Sequence, residues 1–349
     1  MRIYKGIGIM SGTSLDGMDI AYCKFYEENN KWRYKILYAE TIPYTIFWSE
    51  KLATAETKSA MELAQINVDF GLLTAEYINS FIKKHNIAPE FIASHGHTIF
   101  HQPEKSLTLQ IGSGAHIATK TNTLTIYDFR SVDVAKGGQG APLVPIGDML
   151  LFPEYDICLN IGGIANISFQ NNNKRVAFDI CPANMALNYL ASLKKLKYDD
   201  KGASAKQGEI DNTLLEKLNS FDFYHQKGAK SLGKEWFIKN IKPLLDNTSL
   251  NINNKLCTFV EHIAIQISLA TDNIGNSMLI SGGGTYNNYL IERIKHHTNY
   301  EITIPQQKII DYKEALVFAF LGVLRLRNQV NTLQSVTGAT SDSVSGIIV

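Results

Sequence analysis

The sequence lacks the motifs of the common phosphate-binding folds. No G-x-x-x-x-G-K-[ST] motif occurs in its 349 residues, which excludes a Walker-type phosphate loop. The nearest match to a dinucleotide fingerprint, Gly6-x-Gly8-x-x-Ser11, misses its third glycine, and strand-like sequence follows where a helix is required. The formal net charge of +1 gives no reason to expect nucleic acid or an anionic membrane as a partner.

Cysteine and long apolar runs are scarce. The four cysteines (Cys23, Cys158, Cys181 and Cys257) are scattered without a C-x-x-C pair, which favours reduced thiols over a disulfide framework. The N-terminus lacks the apolar core of a secretory signal, and no apolar run is long enough to cross a bilayer. We therefore expect a soluble, cytoplasmic protein with no membrane partner.

The order of predicted elements indicates an α/β protein with two similar halves. Length favours about two domains, and 45% hydrophobic with 19% charged residues is ordinary for a globular chain. Each half opens with an antiparallel hairpin that has a glycine-rich tip and continues into helices. The Gly- and Pro-rich segment 131–145 is the expected crossing between the halves. The clearest helical periodicity covers residues 59–84.

The first hairpin tip has the composition of a phosphate cradle. Its glycines allow close approach of a ligand to the backbone, and its hydroxyl groups add donors. Asp16 and Asp19 lie where Mg²⁺ would need carboxylates. An ordinary β-hairpin with a polar turn is the alternative. The candidate nucleotide-binding residues of this segment are Gly12, Thr13, Ser14, Leu15, Asp16, Gly17, Met18 and Asp19.

Two further glycine turns follow apolar strands in the second half. Gly162 and Gly163 lie beside the hydrogen-bonding side chain of Asn160. The second of these turns, Ser281–Gly284, contains Gly282, Gly283 and Gly284, on which a flat ring could lie. It is predicted to lead directly into a helix N-terminus, whose dipole favours anions.

Several polar residues are candidates for chemistry. Asp179, at the expected end of a strand, could be a general base or a metal ligand, or could merely cap the next helix. Arg130 could clamp a carboxylate or form a surface ion pair. Gln139, beside Gly138, could contact a sugar. Glu314 could bind a sugar hydroxyl or stabilise a helix start.

Three histidines, His95, His97 and His101, suggest a zinc site at first sight. No nearby Cys or acidic residue completes a tetrahedral ligand set, so we do not expect zinc there. A substrate-contacting or structurally hydrogen-bonded histidine is expected instead, with His95 as the substrate-contacting candidate.

Taken together, these segments resemble the anhydro-N-acetylmuramic acid kinase family, and the resemblance extends over essentially the whole chain. The matching segments are Met10-Ser-Gly-Thr-Ser-Leu-Asp-Gly-Met-Asp19, Ser94-His-Gly96, Asp128-Phe-Arg130, Gly137-Gly-Gln-Gly-Ala-Pro142, Asn160-Ile-Gly-Gly-Ile-Ala-Asn166, Phe178-Asp179, Lys230-Ser231, Ser281-Gly-Gly-Gly284, Glu314-Ala315 and Ser335-Val-Thr-Gly-Ala339.

The resemblance implies a two-lobed actin-like ATPase (sugar kinase) fold, each lobe a mixed sheet flanked by helices, with ATP in the interdomain cleft. The N-terminal lobe would comprise residues 1–130 with the tail 330–349 packed on it, and the C-terminal lobe residues 131–329. The glycine turns would bind ATP with Mg²⁺, Asp179 would be the catalytic base, and Arg130 and Glu314 would contact the sugar.

The implied reaction is hydrolytic phosphorylation. Water activated by Asp179 opens the 1,6-anhydro ring, and O6 receives the γ-phosphoryl group of ATP, giving N-acetylmuramic acid 6-phosphate in cell-wall sugar recycling. A kinase for another anhydrosugar such as levoglucosan, or an actin-like ATPase module without sugar chemistry, are the alternatives. A homodimer is compatible with the sequence, which does not determine the oligomeric state.

The chain departs from the family's common pattern at five positions, one of which is Ile180 in place of Thr. Cys181 and Ala183 replace glycines, His97 stands where Gln is usual, and Leu232 where Thr is usual. The catalytic carboxylate is retained, so we expect activity.

Overall fold

The chain folds into two compact units. The computed structural model describes residues 2–12, 14–226, 228 and 230–349. Unit 1 comprises the chain up to Leu151 together with Tyr312–Val349, and unit 2 comprises Phe152–Asp311. Residues 131–151 and 312–329, which we assigned to the C-terminal lobe from the sequence, thus group with unit 1, as does the tail 330–349.

Unit 1 is built on a mixed sheet. Its strands, in the described part of the chain, are β1 (Ile3–Ser11), β2 (Gly17–Glu28), β3 (Lys31–Pro43), β4 (Phe91–Gln102), β5 (Leu107–Ile111), β6 (Thr125–Tyr127) and, from the tail, β12 (Ile347–Ile348). The order is β12-β6-β4-β1-β2-β3, with β5 paired to β4. The predicted antiparallel opening strands β1–β3 are confirmed. Asn29 and Asn30 join β2 to β3 with positive φ angles of 51° and 59°, the backbone that a tight hairpin turn requires.

The helices of unit 1 cover its sheet. They are α1 (Ile46–Ala53), α2 (Ala60–His85), α3 (Gly114–Thr121), α4 (Ser131–Ala135), α5 (Val144–Leu151), most of α14 (Gln307–Leu326) and α15 (Gln334–Thr337). Helix α2 confirms the predicted helix over 59–84. It starts with a capping box between Ser59 and Glu62 and ends at the left-handed Asn86.

Unit 2 contains a second mixed sheet. Its described strands are β7 (Ile157–Ile161), β8 (Ile164–Asn171), β9 (Lys174–Pro182), β10 (Ser277–Ser281) and β11 (Glu301–Thr303), in the order β11-β10-β7-β8-β9. Strands β7, β8 and β9 are antiparallel, whereas β10 runs parallel to β7 and β11. The α/β class with two mixed sheets is therefore confirmed.

Helices flank the sheet of unit 2. They are α6 (Asn184–Ser192), α7 (Ala203–Lys206), α8 (Asn212–Asn219), α9 (Asp222–His225), α10 (Lys234–Trp236), a π-turn (Phe237–Ile241), α11 (Lys242–Asp246), α12 (Ile252–Thr271) and α13 (Asn288–His297). Helix α14 starts in unit 2, and its helical geometry is interrupted at Tyr312 (φ −122°, ψ 19°), where unit 1 resumes.

Two negative observations hold for the described residues. None of their helices is both long and apolar enough to cross a membrane. All four cysteines are buried and in no disulfide, and burial raises the pKa of the Cys23 and Cys181 thiols.

Candidate functional site

The tip of the first hairpin, in unit 1, is fixed by a half-buried leucine. Leu15 has a positive φ of 59°, donates its N–H to Gly12 O (3.4 Å) and packs its side chain against the core of unit 1. Ser49 Oγ, on α1, donates to Leu15 O at 3.1 Å. The side chain of Leu15 is therefore an anchor for the tip, which the sequence did not reveal, and its contact with a nucleotide stays a prediction.

The two acidic candidates for Mg²⁺ lie at this tip. Asp16 is exposed and accepts a hydrogen bond from Ser14 Oγ at 2.7 Å. Asp19 is half-buried on β2, opposite Thr41, whose hydroxyl donates to Asp19 Oδ1 at 2.5 Å. Among the described residues no three His, Cys, Asp or Glu side chains cluster as a metal site. One or two carboxylates completed by phosphate oxygens and water are nevertheless a usual Mg²⁺ environment, so the tip fits this ion.

The remaining candidates of the first tip pack within unit 1 or lie outside the described residues. Met18 is fully buried in the core of unit 1. Gly17 begins β2, where a Cβ would lie 2.7 Å from Ile42 O, so glycine is required there for packing. Thr13 lies outside the described residues.

The second hairpin tip, in unit 2, is held by the backbone of the following helix. The N–H groups of Ala183 and Met185 donate to Gly163 O at 2.8 and 3.1 Å, and that of Asn184 donates to Gly162 O at 3.1 Å. The start of α6 and the hairpin tip therefore form one hydrogen-bonded structure.

The third glycine turn packs directly on the end of β7. A Cβ on Gly282 would lie 2.6 Å from Asn160 Oδ1, and one on Gly284 only 2.2 Å from Ile161 Cγ2. Gly282 also has a positive φ of 85°. The structure thus brings the candidates Asn160–Gly163 and Ser281–Gly284 together in unit 2.

One expectation about the third turn was wrong. The glycines do not lead directly into an α-helix, because a 3₁₀ turn, Gly283–Tyr286, comes first and α13 starts at Asn288. Asn287 caps α13 through its side chain, which accepts from Leu290 N. The helix dipole that we expected at the glycines is therefore located several residues further along the chain.

Four of the candidate glycines have no packing reason to be glycine. A Cβ on Gly12, Gly162, Gly163 or Gly283 would have its nearest neighbour 3.5, 3.6, 3.9 or 3.8 Å away. None of the four has a positive φ. Their lack of a side chain therefore leaves open space over the main chain, which is the geometry that a phosphate or a flat ring needs.

A cavity of about 630 Å³ lies on unit 1 between α1 and α2, and another of about 610 Å³ adjoins Gly283 in unit 2. The second is lined in part by Asn184, Asn188, Tyr198 and Tyr286. Its volume is typical of sites for small ligands. Asn188 and Tyr198 were missed by sequence reasoning. Asn188 lies four residues after Asn184 on α6, and that spacing was the available signal.

Polar residues form a row across the sheet of unit 2. Ser281 on β10 is in register with Asn160 on β7, Asn160 with Asn166 on β8, and Asn166 with Asp179 on β9. Residues in register on neighbouring strands share a face, and strands are about 4.8 Å apart. The third glycine turn, the second hairpin and Asp179 are thus linked on one face of one sheet.

Asp179 is half-buried and bracketed by a neighbouring segment. Its Oδ2 accepts from Leu232 N at 2.8 Å, and its own N–H donates to Lys230 O at 2.9 Å. Burial raises the pKa of Asp179 to about 6, and the Leu232 N–H opposes this by stabilising the carboxylate. A carboxylate with such a pKa is suited to accept a proton near neutral pH.

Two expectations about Asp179 need correction. Strand β9 does not end at Asp179 but continues to Pro182, with a register shift around Ile180. The helix-cap alternative is wrong, because the N-cap of α6 is Ala183 and makes no side-chain cap. The irregularity in β9 is the kind that re-aims a side chain next to a site.

Arg130 is held by a neutral histidine in unit 1. His95 Nδ1 donates to Gly96 O (2.9 Å), so Nε2 is an acceptor, and it receives Arg130 Nε (3.1 Å) and Nη2 (2.9 Å). Arg130 Nη1 donates to Gly140 O at 3.0 Å. The surface ion-pair alternative is wrong, since these partners are neutral. Both ring nitrogens of His95 are engaged within the protein.

The pKa values of Arg130 and its neighbours are shifted mainly because the surrounding protein excludes water from them. Desolvation lowers the pKa of Arg130 to about 10, and the nearby Glu314 acts in the opposite direction. Desolvation and the Arg130 charge hold the pKa of His95 well below its usual range. Desolvation by the surrounding protein likewise raises the pKa of Glu314 although its side chain remains accessible to solvent, and the Arg130 and Lys313 charges oppose this.

The other sugar candidates of unit 1 are less constrained. Gln139 is exposed, and its N–H donates to Thr337 O at 2.8 Å. Asp133 organises its loop by accepting from Gly140 N and Thr337 Oγ1, both at 2.7 Å. Glu314 lies two residues after the interruption of α14 at Tyr312, so its stabilisation of a helix start stays open as an alternative.

His97 has a structural hydrogen bond. Tyr44 donates its hydroxyl to Ser11 Oγ at 2.6 Å, and Ser11 donates to His97 Nδ1 at 2.9 Å. Burial lowers the pKa of His97 to about 4. His101 Nδ1 instead contacts Thr108 Oγ1 at 3.2 Å. His95, His97 and His101 therefore each have a hydrogen-bond partner within the protein.

Comparison with known proteins identifies the family. The sequence model of anhydro-N-acetylmuramic acid kinase matches residues 4–349. The chain belongs to the anhydro-N-acetylmuramic acid kinase family. Proteins of that name from Mannheimia succiniciproducens and Francisella tularensis subsp. novicida are 35% and 33% identical to it, with 98% of this chain and 98% and 97% of the relatives covered. That from Saccharophagus degradans is 34% identical over 97% of both chains.

Solved structures give looser similarities. The (R)-2-hydroxyglutaryl-CoA dehydratase component A of Acidaminococcus fermentans has a TM-score of 0.48 at 11% identity, over 90% of this chain and 96% of that one. Plasmodium falciparum glycerol kinase with ADP has a TM-score of 0.45 at 9% identity, over 92% and 90%. The family assignment rests on the sequence relatives. It confirms the expected family and kinase class and does not favour an actin-like ATPase module without sugar chemistry.

Proposed function

We propose that this member of the anhydro-N-acetylmuramic acid kinase family converts 1,6-anhydro-N-acetylmuramic acid, ATP and water to N-acetylmuramic acid 6-phosphate and ADP. The observation that carries the proposal is Asp179. Its carboxylate is half-buried, is held by Leu232 N, and has a pKa raised by burial to about 6. These are the properties of a general base that works near neutral pH.

In the proposed reaction Asp179 accepts a proton from a water molecule that adds to the anomeric carbon. The bond between that carbon and O6 breaks, and O6 takes the terminal phosphoryl group of ATP. Water thus supplies the new anomeric hydroxyl, and atoms balance without a further reactant. The carboxylate of Asp179 also orients this water molecule by accepting a hydrogen bond from it.

The open glycines and the cavity of unit 2 support nucleotide binding. Gly162, Gly163 and Gly283 leave space over the main chain, and the cavity beside Gly283 is large enough for a nucleoside. We assign the base and ribose to this cavity, and phosphate contacts to the two turns with Asn160 and Ser281.

Unit 1 supplies the first hairpin and the sugar candidates. The tip around Gly12 and Ser14 contacts phosphates in this proposal. Asp16 and Asp19 would hold Mg²⁺, which neutralises phosphate charge when bound.

The sugar ligands are assigned by chemistry. Arg130 offers a guanidinium of fixed orientation for the lactyl carboxylate, and His95 fixes that orientation. Glu314 and Gln139 are accessible for sugar hydroxyls. Direct contact between His95 and the sugar stays a prediction, because its ring nitrogens already have partners.

Mass spectrometry of the product tests the reaction. Incubation with ATP and 1,6-anhydro-N-acetylmuramic acid should yield a product that has gained both a phosphoryl group and a water. Gain of a phosphoryl group alone would instead mean ordinary sugar phosphorylation.

The same assay with levoglucosan, which lacks the lactyl carboxylate, tests the substrate. We expect at least about a tenfold lower kcat/KM, the value of one lost charged contact. Equal or better use of levoglucosan would contradict the muramic acid assignment while leaving the kinase class intact.

We further propose a cytoplasmic location, where ATP is available. A homodimer stays a prediction that analytical ultracentrifugation would check.

A further inference from the structure

Residues 230–232 lie alongside Asp179 and contact it twice. Lys230 O receives the N–H of Asp179, and Leu232 N donates to its carboxylate. The carboxylate therefore has its orientation from a segment that is not part of the sheet. Whatever holds this segment also holds Asp179.

The side chain of Lys230 ties the segment to the short helix α9. Its Nζ donates to Phe223 O at 3.0 Å and to Tyr224 O at 3.4 Å. The ammonium also lies 4.7 Å from the ring centroid of Phe223 and 5.7 Å from that of Phe178, the neighbour of Asp179 on β9. Two carbonyls and two ring faces thus surround one half-buried charge.

The carbonyls that receive Lys230 are themselves fixed. His262, fully buried on α12, has its Nδ1 2.6 Å from Asn219 Oδ1 and its Nε2 3.2 Å from the Tyr224 hydroxyl. Because an amide oxygen can only accept, Nδ1 carries the proton and Tyr224 donates to Nε2. The ring of Trp236 packs edge-on against Tyr224. The side chain of Tyr224 therefore anchors α9 to α12 and to Trp236.

We propose that Lys230 is a positioning residue for Asp179: its ammonium fastens residues 230–232 to α9, so that Leu232 N–H stays aimed at the carboxylate. This rests on the proposed function for the assignment of Asp179 as the base. Burying an ammonium costs free energy, so an apolar side chain would serve better if packing were the only requirement. The charge is explained by the two carbonyls that it holds.

Lys230→Met tests the role, since methionine retains an unbranched apolar stem and removes the charge. In the wild type, kcat/KM should fall tenfold per pH unit below the pKa of Asp179, about 6. Loss of the Leu232 hydrogen bond removes stabilisation of the carboxylate, so the pKa of Asp179 should rise. We expect the acid midpoint in the variant to move up by about one pH unit, kcat to fall about tenfold or more, and KM for ATP to stay unchanged.

Matched variants separate positioning from general destabilisation. Lys239→Met removes an exposed lysine of the same unit and should leave the profile unchanged. Lys230→Arg, which keeps a charged donor, should restore most of the wild-type midpoint. Lys230→Gln, with a neutral donor, provides a second loss variant should Lys230→Met not fold. A lowered melting temperature with an unchanged acid midpoint would overturn the proposal.

A titration without catalysis distinguishes this proposal from the function on which it rests. The carboxyl carbon of Asp179, assigned by comparison with Asp179→Asn, can be followed by ¹³C NMR in the ligand-free protein. The same upward shift in Lys230→Met would support positioning even if Asp179→Asn retained turnover and so removed its role as base. An identical carboxyl titration in wild type and variant would refute positioning whatever the kinetics.

Discussion

The two glycine-tipped hairpins share a topology and differ in how they are held. In unit 1 the tip is anchored by side chains: Leu15 packs against the core, and the Ser49 hydroxyl donates to the Leu15 carbonyl. In unit 2 the tip is held by main-chain N–H groups at the start of α6, which donate hydrogen bonds to the carbonyl oxygens of Gly162 and Gly163. The first tip can therefore carry charged groups, whereas the second offers mainly backbone.

This difference suggests a division of labour. Carboxylates at the first tip, Asp16 and Asp19, suit a cation and phosphates. Asn160, just before the second tip, is in register with Asn166, which is in register with Asp179, so that the second hairpin and the proposed base share one sheet face. Duplicated architecture thus does not imply duplicated chemistry.

The largest expected effect is the difference between replacing a carboxylate of unit 2, Asp179, and replacing one of unit 1, Asp19. Asp179→Asn should lower kcat by about 10²–10⁴, the usual value of a general base, with little change in ATP affinity. Asp19→Asn should mainly raise the Mg²⁺ concentration needed for half-maximal rate, by about tenfold. Steady-state kinetics and calorimetric ATP binding would measure both.

Glu216→Gln, an exposed carboxylate in unit 2, serves as the control and should behave as wild type. Near-normal turnover in Asp179→Asn would show that Asp179 in unit 2 is not the general base.

A smaller effect is expected from glycine-to-alanine substitutions. It should differ between glycines that have open space where a Cβ would lie and glycines that pack closely against neighbouring atoms. Gly284→Ala and Gly8→Ala place a Cβ 2.2 Å from Ile161 Cγ2 and 1.8 Å from Ala315 O, and should cost about 1–3 kcal/mol of folding free energy. Gly162→Ala and Gly12→Ala meet no such clash. They should change stability by less than about 1 kcal/mol and raise KM for ATP about tenfold.

Denaturant unfolding together with ATP kinetics would check this contrast. Destabilisation without a KM change in Gly162→Ala would mean that the open space is not a ligand site.

The smallest effect concerns the anchor of the first tip. Ser49→Ala removes the donor to Leu15 O and should cost about 0.5–1.5 kcal/mol, with a few-fold rise in KM for ATP. Ser220→Ala removes a comparable hydroxyl bond to Lys217 O in unit 2. It should lower stability without affecting KM. Equal KM values for both variants would argue that the first tip needs no anchor.

Local patterns in the sequence predicted what is local in the structure. The periodicity of α2 and the spacing of β1–β3 were sufficient because these elements satisfy their own hydrogen bonds. The glycine turns and Asp179 were found for the same reason, since small residues and a carboxylate after apolar strands are local signals.

Features that depend on distant partners were not predicted. His95 engages Arg130 across 35 residues, and Asp179 is bracketed by residues about 50 positions away. The register shift in β9 and the 3₁₀ turn after Gly282 displaced two expected boundaries, because both arise from packing between strands rather than from propensity. Tyr198 reaches the cavity from a loop without any periodic pattern.

The burial of all four thiols has a practical consequence for chemical labelling. Thiolates are the reactive form, and these cysteines are enclosed, with the pKa of Cys23 and Cys181 raised further from neutrality. A cysteine introduced at the exposed Tyr198 would therefore react with maleimide far faster than the native thiols. Protection of that probe by ATP would report occupancy of the cavity on an otherwise unmodified chain.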